Sequence, residues 1–115
     1  MTGWKRGQLI PANGKFTPTT DNMSTKRANH KTILCTDGTV LVTGGYSTLS
    51  YSLDQVGYQY LAATELFPPV TESFVPTPDM NTPRAFHTAT ILKDGTIFVT
   101  GGDNGRGPLA TAELY

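Results

Sequence analysis

Two arginines stand where they could bind an anionic ligand. Arg27 and Arg84 each precede a histidine by three positions. A guanidinium presents a fork of donors that matches a carboxylate or a phosphate, so the pair could grip such a group. The alternative is a structural role, because an arginine that recurs at one position of a repeat can equally bond to backbone or to a neighbouring unit.

A tyrosine-rich segment is the best candidate for a binding surface. Residues 46–60 contain Tyr46, Tyr51, Tyr58 and Tyr60. We expect a long loop here, and loops longer than about 12 residues in a compact domain are often functional. Exposed tyrosine rings suit sugar stacking or protein recognition. The alternative is that these rings pack on themselves or on the next structural unit.

The glycine-rich stretch 101–107 adds Asp103, Asn104 and Arg106 as candidate ligand-binding residues. It has the glycine content of a phosphate-binding loop, but it lacks the Gly-Lys-Ser/Thr ending. Asp103 and Asn104 supply too few oxygens for a calcium site. The stretch is therefore interpreted as a flexible loop between strands.

No catalytic or metal-binding constellation stands out. His30 and His87 have no third ligand at a helpful spacing, and each is predicted to be structural, donating to backbone. Cys35 is the single cysteine, so no intrachain disulfide can form. No Ser-His-Asp or paired-carboxylate arrangement is evident. The sequence therefore predicts no metal and no cofactor, and it favours a role other than catalysis.

Composition narrows the possible partners. The 115 residues fit one domain, and nine basic side chains balance nine acidic ones. This balance argues against nucleic acid or an anionic membrane as the partner. No stretch approaches the roughly 20 apolar residues of a membrane span. The first residues lack the apolar core of a signal peptide, so the sequence leaves the cellular location open.

An internal repeat determines the predicted fold class. Residues 23–45 match residues 80–102 without a gap, at a constant offset of 57 positions. The pairs of equivalent residues are Met23 and Met80, Arg27 and Arg84, His30 and His87, Asp37 and Asp94, and Gly44 and Gly101. A later Ala-Thr-Glu-Leu-Phe at 63–67 resembles Thr-Ala-Glu-Leu-Tyr at 111–115, and a weaker copy lies at residues 8–10.

Each unit is predicted to consist of short strands. Residues 31–34 and 88–92 are rich in β-branched residues, and each is followed by an Asp-Gly turn. Residues 40–42 and 97–99 are almost wholly apolar, as in strands covered on both faces. Paired glycines then end these strands. We predict an all-β chain.

The pattern resembles the Kelch repeat of β-propellers. Its marks are an arginine three before a histidine, an Asp-Gly turn, an apolar strand ending in Gly-Gly, and an aromatic last strand, with Phe16 and Phe74 where the family usually has tryptophan. The resemblance implies blades of four antiparallel strands. The histidine strands would be innermost, the Gly-Gly strands second, the Glu65 and Glu113 strands third and the phenylalanine strands outermost.

About two blades fit the chain, so the ring is incomplete within it. The resemblance divides residues 1–115, a single propeller segment, into the end of a preceding blade (1–23), one blade (24–80) and three strands of another (81–115). A neighbouring copy could supply the missing outer strand, because the Phe16 segment is an outer strand without a blade. The alternatives are a fragment of a longer product and an open monomer.

The predicted function is a non-catalytic interaction module for a protein or glycan ligand, with assembly of copies into a closed propeller as a further possibility. The alternative is a fragment of a propeller enzyme such as a copper oxidase similar to galactose oxidase. Cys35 is the residue that raises this alternative. It lies two positions before Asp37, whereas the cysteine of that family lies well before the Asp-Gly turn.

Overall fold

The computed structural model describes residues 16–52 and 55–115, and all of their side chains except those of residues 50–56. The described part is all-β, as predicted, and it contains no helix that could cross a membrane. The strand expected at residues 8–10 lies outside the described residues. The strands are β1 Lys31–Leu34, β2 Val40–Thr43, β3 Tyr46–Ser52, β4 Gln55–Tyr60, β5 Thr64–Phe67, β6 Val75–Thr77, β7 Thr88–Ile91, β8 Ile97–Thr100 and β9 Ala112–Leu114.

The first sheet has four antiparallel strands in the order β1-β2-β5-β6. The turn between β1 and β2 is built by Asp37, whose carboxylate accepts hydrogen bonds from the N–H and the hydroxyl of Thr39 at 3.0 and 2.7 Å. Gly38 takes the positive φ of 91° that this turn requires. The strand order along the sheet is the one predicted, with the Glu65 strand third.

The second sheet repeats this arrangement with three strands in the order β7-β8-β9. Asp94 and Thr96 form the same turn contacts as their counterparts, at 3.0 and 2.7 Å, and Gly95 has a φ of 90°. β7 lies beside β1 of the first sheet. The sequence repeat is therefore also a repeat of structure.

The core lies between the two sheets. Leu41 on β2 meets Ile97 and Val99 on β8, and all three side chains are buried. Side chains of a strand alternate between its two faces, so Val42 and Phe98 lie on the two outward faces. Partly buried apolar side chains complete the core: Ile33, Cys35, Leu66, Met80, Ala89 and Ile91.

The segment predicted to be a long loop is a β-hairpin. β3 and β4 form a separate two-stranded antiparallel sheet, in which Tyr46 pairs with Tyr60 and Thr48 with Tyr58. The loop prediction was wrong because it relied on segment length and tyrosine count. The period-2 alternation Tyr58-Gln59-Tyr60 was a strand signal.

The amino-terminal segment differs from its predicted form. Among the described residues, 16–19 form no strand, although an outer strand was expected there, and Phe16 is fully exposed. The next residues run past the outer side of the first sheet. The N–H of Thr20 donates to Glu72 Oε1 at 3.3 Å, and Asp21 Oδ2 accepts from the N–H of Phe74 at 3.2 Å. No described strand pairs with residues 16–19.

Gly44 lies against Arg84 and His87, the residues that precede β7 of the second sheet. A Cβ at this position would lie 2.3 Å from the carbonyl oxygen of Arg84 and 2.8 Å from the ring of His87. At the equivalent Gly101, the nearest atom is the carbonyl oxygen of Leu109, at 3.8 Å. Both glycines have a positive φ, 62° and 72°, so only the crowding distinguishes them.

We therefore expect Gly44→Ala to cost about 1 to 2 kcal/mol more of unfolding free energy than Gly101→Ala. Both variants carry the same penalty of an L-residue at positive φ, so their difference isolates the overpacking between sheets. Urea denaturation at low protein concentration measures both values. Equal losses for the two variants would contradict the close approach at Gly44.

Candidate functional site

Arg27 lies buried behind the end of β2. Its Nη1 donates to the carbonyl oxygens of Gly44 and Ala63, both at 2.9 Å, and its Nη2 donates to Glu65 Oε2 at 2.9 Å. The two side chains of this ion pair are 0% and 2% exposed. Glu65 Oε1 accepts a further bond from the N–H of Ser24 at 2.9 Å. One arginine thus ties the segment before β1 to β2 and β5.

Arg84 is held in the same way in the second sheet. Its Nη1 donates to the carbonyl oxygens of Gly101 at 3.0 Å and Thr111 at 2.9 Å. Its Nη2 donates to Glu113 Oε2 at 2.8 Å and to the Thr111 hydroxyl at 3.2 Å. The arginine is fully buried and the glutamate side chain is 12% exposed. The two networks follow the sequence repeat.

The carboxylate of Glu113 is fixed in its charged form. Burial opposes ionisation, but hydrogen bonds outweigh it and the pKa of Glu113 is lowered. The N–H groups of Asn81 and Thr82 donate to its two oxygens, at 2.6 and 3.1 Å, and Arg84 adds its charge. The pairing with Arg84 therefore persists across the neutral range.

The two arginines do not fit the ligand-binding role considered for them. Neither Arg27 nor Arg84 exposes any of its side chain, and both point at acceptors inside the fold. The structure gives the alternative role, bonding to backbone. Sequence reasoning missed Glu65 and Glu113 as partners, although a glutamate recurring with the arginine was an available signal.

His87 links the two sheets. It is completely buried, and its Nε2 lies 2.8 Å from the hydroxyl of Thr43 on β2. Burial lowers the pKa of His87 to about 4, and the charges of Arg84 and Lys31 add to the effect. The ring is therefore neutral at pH 7. The bond to a threonine side chain differs from the backbone partner that was predicted.

Four aromatic side chains form one surface, called the aromatic surface below: Tyr46, Tyr58, Tyr60 and Phe86. The ring of Tyr46 lies 5.3 Å from Tyr58 in an edge-on contact, 5.7 Å from Tyr60 and 6.1 Å from Phe86. Tyr58 is 60% and Phe86 56% exposed. The pairing of β3 with β4 places the three tyrosines on one face of the hairpin. The side chain of Tyr51 lies outside the described residues.

The hairpin is anchored at its base. The backbone of Tyr46 exchanges two hydrogen bonds of 2.9 Å with Ala28, and the N–H of Leu61 donates to the carbonyl of Gly45 at 2.9 Å. Phe86 adopts a φ of 59° and its N–H donates to the carbonyl of Asn29 at 3.1 Å. The aromatic surface is therefore carried by the two sheets and not by a free loop.

The loop after β8 is internally braced. Asp103 Oδ1 accepts from the N–H of Gly105 at 2.6 Å, and Asn104 Oδ1 accepts from the N–H of Arg106 at 2.8 Å. The backbone of Asp103 also exchanges two bonds with Ala85. The stretch lies between strands β8 and β9, as expected, and these contacts brace it. Because its carboxylate accepts a hydrogen bond from within the loop, Asp103 stabilises the conformation of the loop.

The hairpin and the loop together border an open cleft of about 450 Å³. We name it the tyrosine cleft, and it is lined by Tyr58, Tyr60, Pro83, Asn104, Gly105 and Arg106. Gly105 lies against the ring of Tyr60, because a Cβ there would be 2.9 Å from that ring. Four of the nine candidate residues meet here. The cleft combines aromatic faces with one exposed guanidinium and one amide, and none of its lining residues is acidic.

The environment of Cys35 differs from that of a metal centre. The thiol is half-buried beside the two Asp-Gly turns, where Asp37, Asp94 and Tyr115 also border a cavity of about 370 Å³. Across residues 16–52 and 55–115, no three histidine, cysteine, aspartate or glutamate side chains converge to hold a metal ion.

In comparisons with known proteins, no family model matches this chain and no curated protein matches it significantly.

Proposed function

We propose that the chain is a segment of a Kelch-type β-propeller that acts as a non-catalytic binding module. The four-stranded order of the first sheet, its three-stranded repeat in the second, and the stacking of the two around Leu41, Ile97 and Val99 support this proposal. Each sheet would be one blade, and the hairpin of β3 and β4 an insertion that rises from the first blade.

The ligand site of this module is the tyrosine cleft, and a glycan is the ligand class that its chemistry favours. Tyrosine rings stack on the apolar faces of sugars and donate through their hydroxyls. Asn104 offers its side-chain N–H groups as donors, since its Oδ1 already accepts from the N–H of Arg106. The guanidinium of Arg106 suits a carboxylate on the sugar. The observation that carries the proposal is the convergence of Tyr58, Tyr60, Asn104 and Arg106 on one solvent-open cleft with a braced framework.

Tyr58→Ala should weaken glycan binding by about 10- to 30-fold without lowering the melting temperature appreciably, because the ring is mostly exposed. Titration followed by NMR, with a panel of neutral and carboxylate-bearing oligosaccharides, identifies the ligand and then measures the change. Tyr115→Ala, which removes an exposed tyrosine that does not line the cleft, is the matched control.

Arg106→Gln distinguishes the binding of acidic sugars through the guanidinium from the binding of neutral sugars through the aromatic rings. Loss of the guanidinium should weaken binding of the acidic sugars by about tenfold and leave neutral sugars unchanged. Equal affinity of the wild type and both cleft variants for every binding sugar would contradict the proposed site. Binding of a protein, with no sugar bound, would assign the aromatic surface to protein recognition instead.

The alternative function, a piece of a copper oxidase, draws support from Cys35 alone, and that residue has no histidine near it among the side chains that border its cavity. Metal analysis of the purified protein decides this alternative, since stoichiometric copper would favour it over the binding module.

A further inference from the structure

The contact between the two sheets joins two different kinds of face. The first sheet contributes the face that carries Leu41, and the second contributes the face that carries Val99. The repeat offset makes Phe98 the counterpart of Leu41 and Val42 the counterpart of Val99. The chain therefore has a second face of each kind: the Phe98 face of the second sheet and the Val42 face of the first. No described sheet covers either one.

The Phe98 face is apolar where it is exposed. Phe98 is 37% and Leu114 is 67% exposed. Their counterparts in the first sheet differ sharply, because Leu41 is fully buried and Leu66 packs against the core. The second sheet thus has apolar side chains at the positions that the first sheet uses for docking, and there they are exposed.

The Val42 face contains a cleft of about 260 Å³. The sheet lines it with Thr32, Val40, Val42 and Phe67, and the residues outside the strands that line it are Thr19, Met23, His30 and Phe74. Ala89, the counterpart of Thr32, packs against the core between the sheets. The second-sheet residues equivalent to those of this cleft are therefore the ones that pack against the first sheet.

Polar contacts of the internal interface also have unused counterparts. The bond between His87 Nε2 and the Thr43 hydroxyl crosses from sheet to sheet. Its counterparts are His30 on the Val42 face and Thr100 on the Phe98 face. Gly44 admits the carbonyl of Arg84 at the internal interface, while the same space at Gly101 is open.

The edge of the second sheet matches a segment at the other end of the chain. Residues 16–19 read Phe-Thr-Pro-Thr, and residues 74–77, which include β6, read Phe-Val-Pro-Thr. β6 pairs with β5, and among the described strands none pairs with the corresponding edge of β9. The register of β5 with β6 transfers to Thr19 opposite Ala112 and Thr17 opposite Leu114.

We propose that a second copy of this chain docks head to tail on the first. The Phe98 face of one copy covers the Val42 face of the next, His30 bonds to Thr100, and residues 17–19 of the next copy add a fourth strand to β9. This heterologous contact repeats the interface that already exists inside the chain, so it extends into a closed ring or an open filament. It rests on sheet packing and not on the tyrosine cleft, so either proposal can fail alone.

Two variants that each block one face test the proposal. Leu114→Lys places a charge on the Phe98 face, and Thr32→Arg places one on the Val42 face; both side chains are exposed. Light scattering behind a sizing column, over a range of concentrations, should give a wild-type mass of several chains. Each variant should weaken self-association by at least about tenfold. Val70→Lys, at an exposed turn position on neither face, should assemble like the wild type.

Mixing the two blocked variants is the decisive measurement. Each retains the face that the other lacks, so the mixture should contain a species of two chains that neither variant forms alone. Circular dichroism and thermal unfolding confirm that the variants are folded. A wild type that stays monomeric at high micromolar concentration, blocked variants that assemble unchanged, or a mixture that fails to pair would each overturn the proposal.

Discussion

Replacing Arg84 by methionine is expected to lower the free energy of unfolding by about 3 to 5 kcal/mol, the cost typical of breaking a buried ion pair from one side. The substitution leaves the carbonyl oxygens of Gly101 and Thr111 without their side-chain donor, and it leaves Glu113 without its cation. Methionine fills much of the volume, so a cavity contributes little. Most small domains have only about 5 to 15 kcal/mol of stability to lose.

Urea denaturation measures this loss, and Arg106→Met is the control. Arg106 is exposed, so its replacement should change the unfolding free energy by no more than about 0.5 kcal/mol. The double variant of Arg84→Met with Glu113→Gln should recover about 1 to 3 kcal/mol relative to additivity, because neither partner is then left charged and alone. A loss below about 1 kcal/mol for Arg84→Met would contradict the structural role of the arginine.

Acidification from pH 7 to pH 4 should remove about 3 kcal/mol of stability through His87 alone. Its pKa is lowered from 6.5 to about 4 in the folded protein. The unfolded state therefore binds a proton between these values while the folded state does not, so stability is complete above pH 6.5 and falls as the pH drops toward 4. Burial causes the shift, and Arg84, Lys31 and His30 increase it.

The variant His87→Gln isolates this contribution. Its unfolding free energy should fall less steeply than that of the wild type between pH 6.5 and pH 4, because glutamine does not titrate. Carboxylates such as Glu113, whose pKa is lowered, destabilise both proteins in acid and cancel in the difference. His30→Gln, at a half-buried position, should reduce the slope less. Parallel pH profiles for the wild type and His87→Gln would show that the buried histidine titrates normally.

The repeat in the sequence was enough to place the sheets. Asp-Gly turns, β-branched strands and paired glycines are local signals, so the strands and the equivalence of Asp37 and Asp94 could be predicted from them. The strand order, by contrast, was what the resemblance to the Kelch repeat implies. The constant offset of 57 also predicted that Arg27 and Arg84 share one role, but it left open whether that role is ligand binding or bonding to backbone. The tyrosines of segment 46–60 were recognised as a group from the composition of that segment alone.

What each of these side chains does was decided by tertiary contacts. Arg27 and Arg84 are structural because their glutamate partners, 38 and 29 positions away, are brought beside them only by the packing of strands. The neutral state of His87, which stands directly before β7, depends on its burial against the first sheet. The tyrosine cleft exists because a braced loop at 103–107 meets a hairpin that hydrogen bonds to the segment before β1. Sequence fixes local geometry through propensity and turns, whereas burial and the meeting of distant polar groups arise only when the sheets stack.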